Sequence, residues 1–367
     1  MSKHILFLIH GMGAHDSKWA EEPDGPIATL RTLSGGYAHF AQHPLDEAVK
    51  FVPLSYDEIF QRITTRWRES AEGLNALGPG YQDWSDGDSQ AAVLDWLCNA
   101  EAEADGRASF WWTHVADVMM YRLIPVYRET VRAHVRRQIA DALLAAGGRP
   151  RCSVLAHSLG TAVVHDSIHV LGTADEWFPG VTNRLFPKDW KFQNMFMVAN
   201  TSRLLEQAGD HVPSAYASIV RPGNQGENDS YCFVYRTFRH TMDPCTWIRT
   251  FEIPGGWPQD VSFSDVVEHY RAFDVHALTH YLQHPRVHIP ILRIAHRNAV
   301  TVDEEARTIA SFDPLPAVGE LVPEFTDFKD RLERFKQEHA ALESPTDWIE
   351  ALVGFYEIVA EFLEEHL

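Results

Sequence analysis

The sequence predicts an α/β fold built on a doubly wound, mostly parallel sheet of about six strands. Short apolar runs recur along the chain as far as residue 272, and most of them are continuously apolar rather than alternating. Strands of that composition are covered by helices on both faces, as in a parallel sheet. Helical patterns separate several of the runs, which indicates repeated βαβ units. The predicted strands occupy residues 4–10, 49–55, 152–157, 194–200, 231–238 and, less clearly, 262–272.

Two helical parts accompany the predicted sheet. Residues 126–146 carry an apolar residue at every fourth position, which is typical of a crossover helix packing on a sheet. Residues 67–112 are expected to act as a cap, and four of the eleven tryptophans lie close together there: Trp84, Trp96, Trp111 and Trp112. Such aromatics line an apolar pocket or, more commonly, pack in a core. The predicted parts are an α/β core (1–56 and 147–302), a helical insertion (57–146) and a helical C-terminal extension (303–367), whose last helix packs back on the core or binds a partner protein.

Composition excludes several classes of protein. The formal charge of −19 argues against binding of nucleic acid and against unaided docking on anionic lipid, because both need a basic surface. No apolar run is long enough to span a bilayer and no leader pattern is present, so we expect a cytoplasmic protein. The cysteines show no C-x-x-C pairing, so we expect reduced, structural thiols. They are Cys98, Cys152, Cys232 and Cys245.

The first functional motif lies in residues 154–160, Val-Leu-Ala-His-Ser-Leu-Gly. Apolar residues run directly into a Ser flanked by small residues, which predicts a buried strand that turns sharply into a helix. Ser158 would lie on that turn with its Oγ above the carboxyl edge of the sheet, and the backbone N–H of Leu159 would point to where an oxyanion forms. The alternative is a Ser that only caps the next helix.

A second motif, His10-Gly11-Met12-Gly13, follows the first predicted strand. Its glycines allow a tight turn that brings backbone amides close to a ligand. The alternatives are an ordinary βα turn or a phosphate-binding loop. The segment has neither the G-x-G-x-x-G pattern nor the Walker Gly-Lys-Ser/Thr, which argues against a phosphate-binding loop.

Together the two motifs resemble the α/β-hydrolase superfamily, and in particular its bacterial lipase-like and esterase-like serine hydrolases. Residues 156–160 resemble the nucleophile elbow G-x-S-x-G, with Ala156 in place of the first Gly, and the second motif resembles the strand followed by H-G-x-G. The resemblance covers residues 1–285. It implies that Ser158 is the nucleophile and that the amides of Met12 and Leu159 are the oxyanion donors.

The same resemblance implies that the acid and then the base follow the nucleophile along the chain. Asp243, in an Asp-Pro pair after the fifth predicted strand, is the implied acid, although Asp followed by Pro is also ordinary at a helix start. The less favoured acids are Glu206, Asp210 and Asp274.

Two histidines compete for the role of base. His276 and His280 are four residues apart, on one face if the segment is helical, and only one of them can reach Ser158. We prefer His280, because the His-Tyr-Leu segment ahead of Pro285 resembles an H-x-Y segment of lipase-like proteins, and His276 is the second choice. Such a pair can also hold a metal. With 20 histidines in the chain, however, the spacing arises by chance, and no metal site is expected.

The other two histidines of the motifs are given supporting roles. His10 is expected to order the oxyanion turn, and His157 to point away from Ser158 into the packing of the elbow.

The expected function is hydrolysis of a carboxylic ester of a small molecule through an acyl-enzyme, without a cofactor. An acyltransferase or a thioesterase would use the same residues. A non-catalytic binding or scaffold protein on this fold is an alternative of a different class, and a metal-dependent hydrolase is the third.

Overall fold

The structure is a computed structural model of the 367-residue chain. It describes residues 3–11, 18–60, 62, 116–147, 150–173, 190–203, 205, 212–224, 227, 229–246, 250–269, 275–314 and a few positions between 330 and 358.

Six strands form one parallel sheet in the order β2-β1-β3-β4-β5-β6. This confirms the predicted α/β architecture with its six parallel strands. The carboxyl ends of parallel strands meet at one edge of the sheet, so the segments that follow β1, β3 and β5 all lie at that edge. The strands are β1 (His4–Ile9), β2 (Val49–Leu54), β3 (Cys152–His157), β4 (Phe192–Val198), β5 (Cys232–His240) and β6 (Ser262–Val267).

Helices cover both faces of the sheet. The described helices are α1 (Pro26–Ser34), α2 (Ala38–Gln42), α3 (Leu45–Ala48), α4 (Ala116–Leu123), α5 (Pro125–Ala146), α6 (Leu159–Thr173), α7 (Leu278–Gln283), α8 (Pro285–Leu292) and α9 (Val302–Ala310), with a short 3₁₀ helix at Pro244–Thr246.

The buried residues of β1 divide between two apolar clusters. Phe7 packs in a cluster with residues of α4, α5 and α6, whereas Leu6 and Leu8 pack in a second cluster with residues of α1, α7 and α8. Every residue of β1 is buried, which explains why this strand is continuously apolar in sequence. The edge strands differ: β2 contains Pro53, and β6 alternates buried with more exposed residues.

Residues 116–146, the longest described stretch of the predicted insertion, form two helices separated by Ile124. The helix α5 presents Val131, Val135, Ile139 and Leu143 to the same cluster as Phe7, so this segment packs on the sheet as a crossover helix does. Residues 67–112, the predicted cap, lie outside the described residues. Nearly all of the last helix predicted for the C-terminal extension also lies outside the described residues. The helix α9, at the start of that extension, is described.

A buried ionic network ties α5 to α6. The guanidinium of Arg132 donates to the carboxylate of Asp166 from Nε (3.0 Å), and Tyr121 also donates to that carboxylate (2.7 Å). This network fixes the crossover helix against the helix that follows Ser158.

Two further predictions are tested in part. Cys152, Cys232 and Cys245 are buried and form no disulfide, and Cys98 lies outside the described residues. Among the helices that the structure describes, none is long and apolar enough to cross a membrane.

Candidate active site

Ser158 lies on a strained turn at the carboxyl end of β3. Its φ of +52° is in the left-handed region, which residues other than glycine rarely adopt and which is typical of functional turns. The surroundings hold that conformation in place. The Ser158 amide donates to the carbonyl of Val198 (3.0 Å), and the Ser158 carbonyl accepts from the hydroxyls of Thr161 (2.6 Å) and Thr201 (2.9 Å).

The elbow also depends on a close approach between α6 and β1. A Cβ at Gly160 would lie 2.2 Å from the carbonyl oxygen of His10, so this position requires glycine. Ala156, where the family pattern has glycine, is fully buried. The predicted strand, turn and helix around Ser158 are therefore confirmed.

A hydrogen-bonded chain joins Ser158, His276 and Asp243. The Nδ1 of His276 lies 3.0 Å and 2.9 Å from the two carboxylate oxygens of Asp243, which can only accept, so Nδ1 carries the proton. The Nε2 of His276 is then an acceptor, and it lies 2.9 Å from the Oγ of Ser158. All three residues are buried. This arrangement can take the Ser158 proton and stabilise the imidazolium that results.

The structure places His276, and not the preferred His280, within hydrogen-bonding distance of Ser158. His280, the first choice from sequence, lies in α7 and packs against other histidines: its ring stacks on His269 at 3.9 Å and meets His240 at 5.5 Å. His276 precedes α7, which begins at Leu278, so the two histidines do not share a helix face. The turn before the helix brings His276 to Ser158.

The chemistry of His280 is also unsuited to a base. Burial, helped by the nearby His240, lowers the pKa of His280 to about 3. A general base is most effective when its pKa lies near the working pH. His280 therefore stays neutral near pH 7 and accepts a proton only weakly.

Asp243 is held by more than its histidine partner. The backbone N–H of Cys245 donates to one carboxylate oxygen (3.0 Å), so the expected helix-start role is present as well. The hydroxyl of Tyr281 donates to the other oxygen (2.7 Å). Burial would raise the pKa of Asp243, but His276 and the hydrogen bond from Tyr281 outweigh burial and lower it. Asp243 is therefore a carboxylate at neutral pH.

The same pairing shifts the histidine. Burial alone would lower the pKa of His276, but the charge of Asp243 and its hydrogen bond outweigh burial and raise the pKa well above the usual value. His276 is further positioned by His157, whose Nε2 donates to the His276 backbone carbonyl (2.6 Å). His157 thus contacts the base, a role beyond the elbow packing expected from sequence.

The turn after β1 lies directly against Ser158. A Cβ on Gly11 would lie 2.7 Å from the Cβ and 3.3 Å from the Oγ of Ser158. The hydroxyl of Tyr56 donates to the carbonyls of His10 (2.9 Å) and Gly11 (2.8 Å), and the Nδ1 of His10 also donates to the Gly11 carbonyl (2.8 Å). His10 orders this turn, as expected, and stacks on Tyr56 with ring centroids 4.3 Å apart.

Of the two predicted oxyanion donors, Leu159 is among the described residues. Leu159 is the first residue of α6, where an N–H has no partner within its helix and where the helix dipole favours negative charge. Met12 lies outside the described residues, as do the less favoured acids Glu206, Asp210 and Asp274.

Comparison of the chain with protein-family models, with curated proteins and with solved structures gave no match. The residues and distances at the carboxyl edge of the sheet are therefore the basis for assigning a function.

Sequence reasoning missed three side chains of the site: Tyr56, Cys245 and Tyr281. Tyr281 was present in the His-Tyr-Leu segment, but nothing in its pattern indicates that its hydroxyl reaches Asp243. Tyr56 is 45 residues from Gly11 in sequence, and only the pairing of β1 with β2 brings the two together.

For the ester hydrolysis expected from the sequence, the variant Tyr281→Phe should lower kcat about tenfold with little change in KM. The change removes a hydrogen bond to a carboxylate, worth about 1.5–3 kcal/mol, and leaves the buried amide of His240 without the acceptor that now lies 2.8 Å away. The control is Tyr37→Phe, which removes another buried hydroxyl from the same apolar cluster, one that lies 2.6 Å from His288. Steady-state kinetics and thermal melts of both variants separate positioning from stability. Equal rate losses in the two variants would contradict the role given to Tyr281.

Proposed function

We propose that this protein is a serine hydrolase of the α/β-hydrolase type that cleaves a carboxylic ester through an acyl-enzyme intermediate. The observation that carries the proposal is the hydrogen-bonded chain from Ser158 through His276 to Asp243, with 2.9 Å between Oγ and Nε2. Nucleophile, base and buried carboxylate in this order form a catalytic triad, which is recognised by geometry and roles rather than by sequence position.

The fold supports the same proposal at a coarser level. Ser158 follows a central strand of a parallel sheet, on a turn with left-handed φ, as a nucleophile elbow does. Within the described residues the sheet lacks the two antiparallel strands that often open the sheet of this superfamily. The assignment therefore depends more on the site than on the strand order.

In the first half of the proposed reaction, the Oγ of Ser158 attacks the acyl carbon while the Nε2 of His276 takes the hydroxyl proton. Asp243 holds the Nδ1 proton and stabilises the imidazolium. The oxyanion is stabilised by the amides of Leu159 and Met12, and one such donor contributes about 10²–10³ in rate. His276 then protonates the leaving alcohol.

In the second half, water replaces the alcohol. His276 takes a proton from the water, which attacks the acyl carbon, and the imidazolium returns a proton to the Oγ of Ser158 as the acid leaves. This sequence needs no cofactor.

The pH dependence of p-nitrophenyl acetate hydrolysis tests the proposal and the identity of the base. A base acts in its neutral form, so kcat/KM rises as the pH rises through its pKa. Because Asp243 raises the pKa of His276 well above 6.5, we expect the rate to reach half its plateau above pH 6.5.

A rate that is already constant between pH 5 and pH 8 would contradict this assignment. That profile is the one expected for His280, whose pKa of about 3 would leave it neutral across the whole interval.

A further inference from the structure

Cys245 lies against the paired acid and base but has no part in the proposed ester chemistry. It is 1% exposed and belongs to the short 3₁₀ helix that follows Asp243. The atoms of Asp243, Cys245 and His276 that can ligate a metal all lie within 4.8 Å of one another. Within the described part of the chain, this is the group of His, Cys, Asp or Glu side chains that meets that condition.

The three donor atoms suit one class of cation. A carboxylate oxygen, an imidazole nitrogen and a thiolate sulfur are the usual ligands of Zn²⁺, with bonds of about 2.0–2.3 Å. Ligand atoms around a tetrahedral ion with such bonds are about 3.3–3.8 Å apart. The largest separation, at most 4.8 Å, therefore needs to shrink by about 1 Å, and the 2.9 Å between Asp243 and the Nδ1 of His276 needs to widen slightly.

Charge balance favours binding at this buried position. The carboxylate and the thiolate carry two negative charges, which neutralise a divalent cation, so the site avoids a buried net charge. The hydroxyl of Tyr281 already holds one oxygen of Asp243, and such an outer partner orients a metal ligand.

We propose that Asp243, Cys245 and His276 form an inhibitory site for a thiophilic divalent cation such as Zn²⁺ or Cd²⁺. Binding replaces the Cys245 S–H proton by a metal–sulfur bond and releases that proton to solvent, while Asp243 and His276 each give a lone pair. No atom changes oxidation state.

Metal binding to either ring nitrogen of His276 prevents this residue from acting as the base. A metal on Nδ1 leaves the single proton of neutral imidazole on Nε2, which then cannot accept the proton of Ser158. A metal on Nε2 occupies the accepting atom itself. The inhibitory consequence rests on the proposed ester hydrolysis, whereas the binding does not.

Co²⁺ gives a readout that is independent of activity, because a thiolate ligand produces a charge-transfer band in the near ultraviolet. We expect Co²⁺ to produce this band in the full-length, chelator-treated protein, and Zn²⁺ to abolish it by displacement. The band should be lost in Cys245→Ser and retained in Cys152→Ser and Cys232→Ser, which alter two other buried thiols. No band in the wild type, or an equal band in Cys245→Ser, would overturn the site even if the protein hydrolyses esters.

Inhibition is measured separately as the Zn²⁺ concentration that halves each protein's own metal-free rate. We expect Cys245→Ser to raise that concentration about 100-fold or more, since loss of an outer partner alone costs 10–100-fold in affinity. Full activity of the wild type with the site saturated would overturn the inhibitory role while leaving the binding intact. Loss of activity when the metal is removed would also overturn the inhibitory role and leave the binding intact, because the cation would then be a cofactor.

Discussion

Replacing His276 by Gln should lower kcat for ester hydrolysis about 10⁴-fold or more, whereas the same replacement at His280 should leave kcat within about tenfold. Losses of the first size are typical when one member of a triad is removed. His276 lies between Ser158 and Asp243, at 2.9 Å from the nucleophile, whereas His280 stacks on His269.

The two histidines form a matched pair for this experiment. Both are buried, both belong to the same segment of the chain, and both changes remove an imidazole. Thermal melts of the two variants identify any loss of folding. If His280→Gln abolished activity in a folded protein while His276→Gln remained active, the assignment of the base would be wrong.

The variant Gly11→Ala should lower kcat about 100-fold, the size of effect expected when a reacting group is displaced by about 1 Å. An added Cβ would meet the Cβ of Ser158 at 2.7 Å and the Nδ1 of His157 at 3.0 Å, distances that require one of these groups to move. The Gly11 carbonyl accepts hydrogen bonds from Tyr56 and His10, so the turn cannot move away from Ser158 without breaking these hydrogen bonds.

The control for this change is Gly255→Ala, where an added Cβ meets nothing within 4 Å. The kcat of each variant is measured with the same ester substrate and at the same protein concentration. Wild-type kcat in Gly11→Ala would show that the turn after β1 does not press on the nucleophile.

The strands were predictable because each has a simple local signature. The strands β1 and β3 are buried along their whole length, so their sequences are continuously apolar and their bounds agree with the predicted ranges to within one residue. The strand β6 alternates at the edge of the sheet, and its predicted range extended five residues beyond Val267. Partial burial gives a weaker pattern, which is why that prediction was less clear.

The position of Ser158 on a sharp turn was predictable because the strand, turn and helix are a local structure. Ser158 needs a preceding apolar strand and a following glycine, and both can be read from seven consecutive residues. Asp243 was implied by its place after the fifth strand. Its two roles, toward His276 and toward the amide of Cys245, are both present.

Which histidine lies beside Ser158 was not predictable, because the answer depends on where a helix begins. His276 and His280 are the same residue type and lie in one short segment, so the local sequence does not distinguish them. They differ in structure because the helix α7 begins at Leu278, which places His276 before the helix and His280 within it. Tyr56 and Tyr281 escaped prediction for a similar reason. Their hydroxyls act across 45 and 38 residues of sequence, on Gly11 and Asp243, and no local pattern marks such contacts.

Labelling by a fluorophosphonate, followed by intact-mass measurement, is the most direct test that Ser158 is an activated nucleophile. We expect one adduct on the wild-type protein and none on Ser158→Ala, with His276→Gln labelled much more slowly than the wild type. A well-folded wild type that takes up no label, or an adduct that persists in Ser158→Ala, would contradict this expectation and favour a non-catalytic protein or a different nucleophile.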